Sequence, residues 1–174
     1  TITGTNAEIV AAYALNTATT TTGLGNEAIT PSDTSLTVAQ VNTLAGLTTG
    51  VVTATITEGD MATLAGIAET GHAYTVTVTD TTATGLSLTQ LDAKTTVAVD
   101  ASAVTTITGS VAQVDAALDA NAATPATITG LSDVAVTYTG NATMAELITL
   151  DGLTTGLITG ATAVDATAIL LADN

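Results

Sequence analysis

Sixteen carboxylates set against a single lysine are the side chains of this 174-residue sequence with the most evident capacity for chemistry. Four aspartates, Asp33, Asp80, Asp100 and Asp133, fall at the expected edges of successive strands, and Glu58 with Asp60 closes another. Stacked in a column, such carboxylates and the backbone oxygens beside them would suit Ca²⁺, a hard cation that takes oxygen ligands. The competing reading is that Asp is a common turn and cap former, and that a formal charge of −15 keeps the protein soluble. The metal expectation is therefore calcium at the four aspartates, with diffuse cation association as the broader alternative. A carboxylate pair could also hydrolyse a glycosidic bond. Here, however, the acids follow a repeat, whereas a catalytic site breaks repeat symmetry, and no enzyme activity is expected.

The other chemically capable residues are few. His72 stands between Gly71 and Ala73 ahead of a strand, with no second His and no Cys to complete a dyad, so it reads as a solvated turn residue. Lys94 follows a helical stretch over Leu88–Leu91, where a cation complements the helix C-terminus. Three tyrosines, Tyr13, Tyr74 and Tyr138, occupy repeat-compatible positions, and Tyr13 aligns with Leu118, which predicts a core role and argues against a sugar-stacking platform. Threonine alternates at 53/55/57, 75/77/79 and 137/139, a hydroxyl array of the kind that could match ice. Val97-Ala98-Val99 and Ala28-Ile29-Thr30 interrupt it, and β-branched Thr suits the solvated face of a strand in any case. Asn141-Ala142-Thr143 matches a glycosylation sequon.

Composition removes whole classes of function. The chain holds 43 Thr and 33 Ala, no Cys, Trp or Phe, and only 10% charged and 2% aromatic residues. With one cation it has no phosphate-neutralising patch, which excludes nucleic-acid binding of that kind, and its charge opposes docking on an anionic membrane. Lacking cysteine, it has neither a disulfide framework nor a thiolate metal site. There is no apolar run near the length of a membrane span, about 18 residues, and no signal-peptide pattern. A mean hydropathy of +0.52 with few aromatics predicts a core of Ala, Val, Leu and Ile rather than disorder.

The elements that position these residues repeat. Ile2-Thr3-Gly4 recurs as Ile107-Thr108-Gly109, and Leu44-Ala45-Gly46-Leu47-Thr48-Thr49-Gly50-Val51 as Leu150-Asp151-Gly152-Leu153-Thr154-Thr155-Gly156-Leu157, offsets of 105 and 106. The chain thus carries about 1.65 copies of a unit of roughly 105 residues. Within it, a hydroxyl three residues ahead of Gln or Glu marks helix starts at Thr5, Thr37, Ser87, Ser110 and Thr143. Asp60 and Asp165 mark two more by an aspartate cap. The intervals between the seven are 32, 23, 27, 23, 33 and 22 residues, an alternation that resumes after four coils.

Apolar residues at helical spacing follow most caps: Val38, Val41 and Leu44; Met61, Leu64 and Ile67; Val111, Val114 and Leu118; Met144, Leu147 and Leu150. Such short helices are unstable alone and must lie on a neighbour. Period-two stretches at 52–57, 74–79 and 134–139 predict strands, and Ala126–Thr129 after Pro125 a further one. The expected fold is α/β, a solenoid over residues 1–174 with one short parallel strand and one short helix in each coil of 22–33 residues. A right-handed parallel β-helix is the alternative, against which the capping boxes weigh.

The stretch from Gly50-Val51-Val52-Thr53 to Met61-Ala62-Thr63-Leu64-Ala65-Gly66, together with Gly23-Leu24-Gly25-Asn26-Glu27-Ala28 and Ala73-Tyr74-Thr75-Val76-Thr77-Val78-Thr79-Asp80, resembles repeat units of giant Thr- and Ala-rich exoproteins. These are surface proteins of marine unicellular cyanobacteria, among them one required for swimming without flagella. The resemblance runs along the whole chain and implies an extracellular, structural role in a cell-surface layer, fibre or adhesin. The Gly-Gly-x-Gly-x-Asp calcium repeat of some such proteins is absent from this sequence. The expected function is a repeat segment of a longer surface array, partnered by further copies of itself and by cell-surface components, with no nucleic acid and no membrane insertion. An adhesin or calcium-dependent surface-binding module is the alternative. Thr1-Ile2-Thr3-Gly4 reads as the middle of a repeat, so head-to-tail stacking or a longer parent chain is expected.

Overall fold

A hydroxyl followed three residues on by Gln or Glu predicts helix starts, and most helices begin where it does in the computed structural model, which describes residues 1–17 and 22–164. In chain order the elements are β1 (Ile2–Gly4), α1 (Asn6–Thr17), β2 (Ile29–Pro31), α2 (Val38–Ala45), β3 (Thr53–Thr55), α3 (Met61–Leu64), β4 (Ala73–Thr75) and β5 (Thr82–Thr84). There follow α4 (Gly85–Asp92), β6 (Val99–Asp100), β7 (Thr106–Ser110), α5 (Val111–Ala122), β8 (Ile128–Thr129), β9 (Ala135–Thr143), α6 (Met144–Leu153) and β10 (Ile158–Val164).

Thr37, Ser110 and Thr143 form complete capping boxes: each hydroxyl accepts the N–H three residues on, and the Gln40, Gln113 or Glu146 side chain accepts the cap's own N–H. Thr5 and Glu8 make the same exchange ahead of α1, at 3.3 and 2.8 Å. Asp60 caps α3 by accepting from the Thr63 N–H at 2.9 Å. The start expected at Asp165 lies outside the described residues. One start differs. The spacing puts a cap at Ser87, but α4 begins at Gly85, and it is Thr84 Oγ1 that accepts from the Ser87 N–H at 3.0 Å. The cap that forms is also local, three residues earlier, and Gly85 beside it lies so close to the Gln113 carbonyl that no β-carbon fits.

Two compact units result, one of residues 1–77 with 91–99, the other of 78–90 with the chain from 100 onward. In the first, β1 and β2 pair in parallel, Ile2 opposite Ile29. A parallel bridge from Ile29 to Val52 leads to β3, and β3 pairs in parallel with β4, Thr53 opposite Ala73. Strand follows strand in chain order. Ile9, Tyr13, Ile29, Leu44, Val52, Leu64 and Tyr74 are buried there, while Thr30, Thr53, Thr55 and Thr75 face out.

The second unit holds a four-stranded parallel sheet in the order β5-β7-β9-β10. Its register sets Thr84, Thr108, Thr137 and Thr159 in one row on the outer side and Ile107 beside Val136 within. The Thr137 and Thr159 hydroxyls lie 3.2 Å apart and share a hydrogen bond. Val111, Val114 and Leu118 of α5 are buried, as their spacing predicts. Tyr13 and Leu118, equivalent across the repeat, are both core residues at 4% and 0% exposure. The architecture is mixed α/β, with short parallel strands and, among the described residues, six helices and no closed barrel. No helix among those residues is long and apolar enough to cross a membrane.

The displaced cap is open to test. Ser110→Ala and Thr84→Ala should each lower unfolding free energy in urea by about 1 kcal/mol, the usual worth of an N-cap. Ser87→Ala, which keeps the N–H that Thr84 accepts, should cost clearly less than Thr84→Ala.

Candidate functional site

The feature that recurs with the same chemistry is a threonine hydroxyl that joins segments 20 or 21 residues apart. In Leu47-Thr48-Thr49-Gly50, Thr48 Oγ1 donates to the Glu27 carbonyl at 2.6 Å and accepts from the Gly50 N–H at 2.9 Å. The Thr49 N–H donates to the Gly25 carbonyl at 2.8 Å. The α-carbon of Gly50 presses on the Glu27 carbonyl, leaving no room for a side chain. Leu153-Thr154-Thr155-Gly156 repeats the arrangement. Thr154 Oγ1 donates to the Val134 carbonyl at 2.7 Å and accepts from Gly156 at 3.1 Å, the Thr155 N–H reaches Ser132, and Gly156 presses on Val134. Thr95 makes the joint without the glycine. Its hydroxyl donates to the Tyr74 carbonyl at 2.7 Å and accepts from the Val97 and Tyr74 N–H groups at 3.1 and 3.0 Å.

His72 takes part as a hydrogen-bond acceptor. The expectation of a solvated turn residue is overturned: the side chain is 7% exposed, and its Nδ1 accepts from the Val52 N–H at 3.1 Å. An accepting Nδ1 requires the neutral ring. Burial pushes its pKa below the ordinary value, against a smaller upward pull from Glu69. Its ring stands 5.3 Å from that of Tyr74. The Tyr74 hydroxyl is buried and, among the described residues, without a hydrogen-bond partner, and burial pushes its pKa up to about 12. Lys94 also differs from expectation, for its Nζ donates at 2.9 Å to the Ala68 carbonyl, one coil earlier, rather than to its own helix end.

The four aspartates expected to bind calcium occupy different settings. Asp33 belongs to the first unit, Asp80, Asp100 and Asp133 to the second. Asp33 Oδ2 accepts the Asn6 N–H at 2.6 Å, at the first residue of α1. Glu58 does the same for Val38 of α2 at 3.0 Å. A carboxylate from the following coil thus meets an N–H that the helix itself leaves open, where the helix dipole also favours negative charge. Asp100 Oδ1 accepts from Ser102 within its own turn at 3.0 Å. Asp80 is half-buried between β4 and β5, and Asp133 is exposed ahead of β9. Among the described residues no three His, Cys, Asp or Glu side chains form a group that could hold a metal ion.

Other acids are bound by backbone. Glu27 Oε2 accepts from Gly25 and Asn26 N–H groups and from the Tyr13 hydroxyl at 3.2 Å, which holds its pKa down. Glu8, Asp60 and Glu146 are lowered by the N–H groups of their caps. Asp115 moves the other way, raised by burial and then by the charges of Asp119 and Glu146. It lines a cleft of about 130 Å³ with Val111, Ala112, Glu146 and Thr149. No family model matches the chain, and no curated protein or solved structure does either.

Sequence reading singled out the acids and missed the joints. The repetition of Leu-Thr-Thr-Gly was the available signal, but a threonine that bridges two coils looks the same in sequence as one facing water. Two predictions follow from the geometry. Thr48→Val, Thr95→Val and Thr154→Val keep the shape and strip the hydroxyl, so each should cost about 1–3 kcal/mol in unfolding free energy by orphaning buried backbone groups. Thr49→Val, at an exposed and longer contact of 3.3 Å, should cost under about 1 kcal/mol. For His72, a pKa lowered in the fold means full stability above the ordinary value of 6.5 and loss as pH falls through it. His72→Gln, which has no such charge to gain, should remove that part of the pH dependence in urea titrations.

Proposed function

We propose that the chain is a structural repeat segment of an extracellular cell-surface protein, layer or filament, acting by stacking and self-association rather than by catalysis. In this reading each coil of about 22–33 residues supplies one short strand and one short helix, and the coils stack as a solenoid. The capped helices α2, α5 and α6 favour such coils over the all-strand coils of a right-handed parallel β-helix. The observation that carries the reading is the recurrent joint at Thr48, Thr95 and Thr154. At these three threonines the hydroxyl holds one segment of the chain against another rather than pointing into a cavity.

Composition points the same way. Threonine supplies the outer faces of the strands, at Thr30, Thr53, Thr55 and Thr75, while Ile, Val and Leu fill the core. Resemblance to repeat units of large cyanobacterial exoproteins supplies the setting, a surface layer or fibre outside the cell. The charge of −15 must be screened when copies pack against one another, so assembly should respond to divalent cations.

Negative-stain electron microscopy of the 174-residue chain, first with calcium and then with chelator, tests this. Filaments or sheets that disperse in chelator are the expected result. Isolated particles under both conditions at high protein concentration would overturn self-association.

A further inference from the structure

The two units bury titratable groups of opposite kind. In the first, His72 is pinned between two other segments of chain. Its Nδ1 accepts from the Val52 N–H at 3.1 Å, and the neighbouring Ala73 N–H donates to the Val52 carbonyl at 2.9 Å. Its own carbonyl accepts from the Thr96 N–H at 2.9 Å. Val52 is fully buried and His72 nearly so. Protonation at Nδ1 turns the acceptor into a donor and sets it against the Val52 N–H, with water kept from both. On the strand that the ring grips, no charged residue lies between Gly50 and Thr57. From its own segment Glu69 pulls the ring toward the charged form, by less than burial opposes it. Tyr74, the other titratable neighbour, stays neutral, its pKa pushed up to about 12. The stretch 91–99 carries Asp92 and Lys94, and the Lys94 Nζ is held at the Ala68 carbonyl.

In the second unit the group is a carboxylate. Asp115 of α5 is half-buried, and its Oδ1 is out of water with no hydrogen-bond partner among the described residues. Glu146 of α6 lines the same cleft, and Asp119 adds further like charge. Acid therefore acts on the two units with opposite sign. Neutral His72 stabilises the first unit fully above 6.5, and that contribution is lost as pH falls through 6.5 toward the lower pKa of the fold. Ionised Asp115 costs the second unit stability at neutral pH, and the cost is relieved as pH falls through its raised pKa toward 3.8. Glu8, Glu27, Asp60 and Glu146, all lowered by N–H groups, remain ionised down to about pH 5 and leave this window to the other two.

We propose that mild acid opens the joint at His72, freeing Val52 from Ala73 and His72 from Thr96, while the second unit stays closed. The first unit is then the acid-sensitive part of the chain. The switch rests on hydrogen bonds within that unit and does not depend on self-association.

Amide hydrogen exchange followed by NMR on the full chain, between about pH 8 and about pH 5, tests this. Protection is taken relative to the intrinsic exchange rate at each pH. The Val52, Ala73 and Thr96 amides should lose protection by up to about tenfold per pH unit below 6.5, because opening takes up one proton. The Ala135 and Val136 amides, bonded within the second unit, should hold theirs. His72→Gln should abolish the loss at the first three. The unaltered chain gives an independent readout through the ring nitrogen shifts. Nδ1 should be bare at about pH 8 and gain its proton as the Val52 amide loses protection. Unchanged protection of Val52 at about pH 5, an equal loss at Val136, or a loss that survives His72→Gln overturns the proposal. So does an Nδ1 that already carries the proton at about pH 8.

Discussion

Strands of two to nine residues carry backbone groups that their own turns cannot pair, and a neighbouring segment of the chain must meet them. The threonine hydroxyl is the group that makes this possible at the joints, since it donates and accepts at once. At Thr48 and Thr154 it donates to a carbonyl of the preceding coil and accepts from an N–H of its own. The glycine that supplies this N–H lets the two backbones come closer than any side chain would permit. Remove the hydroxyl and two buried polar groups lose their partner together.

The acidic residues belong to the same economy of backbone groups. Helices of 4–12 residues present open N–H groups over much of their length. The cap residue satisfies one, the Gln or Glu of the box returns the exchange, and Asp33 and Glu58 reach from the following coil to another. Carboxylates that accept N–H groups are stabilised as anions, which is why Glu8, Glu27, Asp60 and Glu146 all have lowered pKa values. A chain with one lysine thus holds Glu8, Asp33, Glu58, Asp60 and Glu146 against helix ends rather than against cations. Asp115 is the exception, half-buried among other acids, and it is shifted upward.

His72 shows how a different side chain can join this scheme. The segment from Leu64 to Ala73 is as long as the one from Leu44 to Thr53, the residue that Ala73 pairs with, but it lacks the Thr-Thr-Gly run. An imidazole nitrogen there accepts the Val52 N–H instead. The substitution brings a titratable group into a joint otherwise made by hydroxyls. Tyr74 beside it on β4 is fully buried.

Sequence alone determined what depends on neighbours along the chain. Capping boxes at Thr37, Ser110 and Thr143, the aspartate cap at Asp60, the buried stripe of Val111, Val114 and Leu118, and the equivalence of Tyr13 with Leu118 were all legible, because each is set by contacts within a few residues or by the repeat itself. Tertiary structure decided the rest. It set Gly85, the first residue of α4, so close to Gln113 that no β-carbon fits there. It turned His72 inward, sent Lys94 to the carbonyl of Ala68, and gave Asp33 a helix end to cap. Each of these residues acts across 20 to 28 positions of chain, and one hydroxyl or carboxylate in sequence looks like any other until distant segments are brought together.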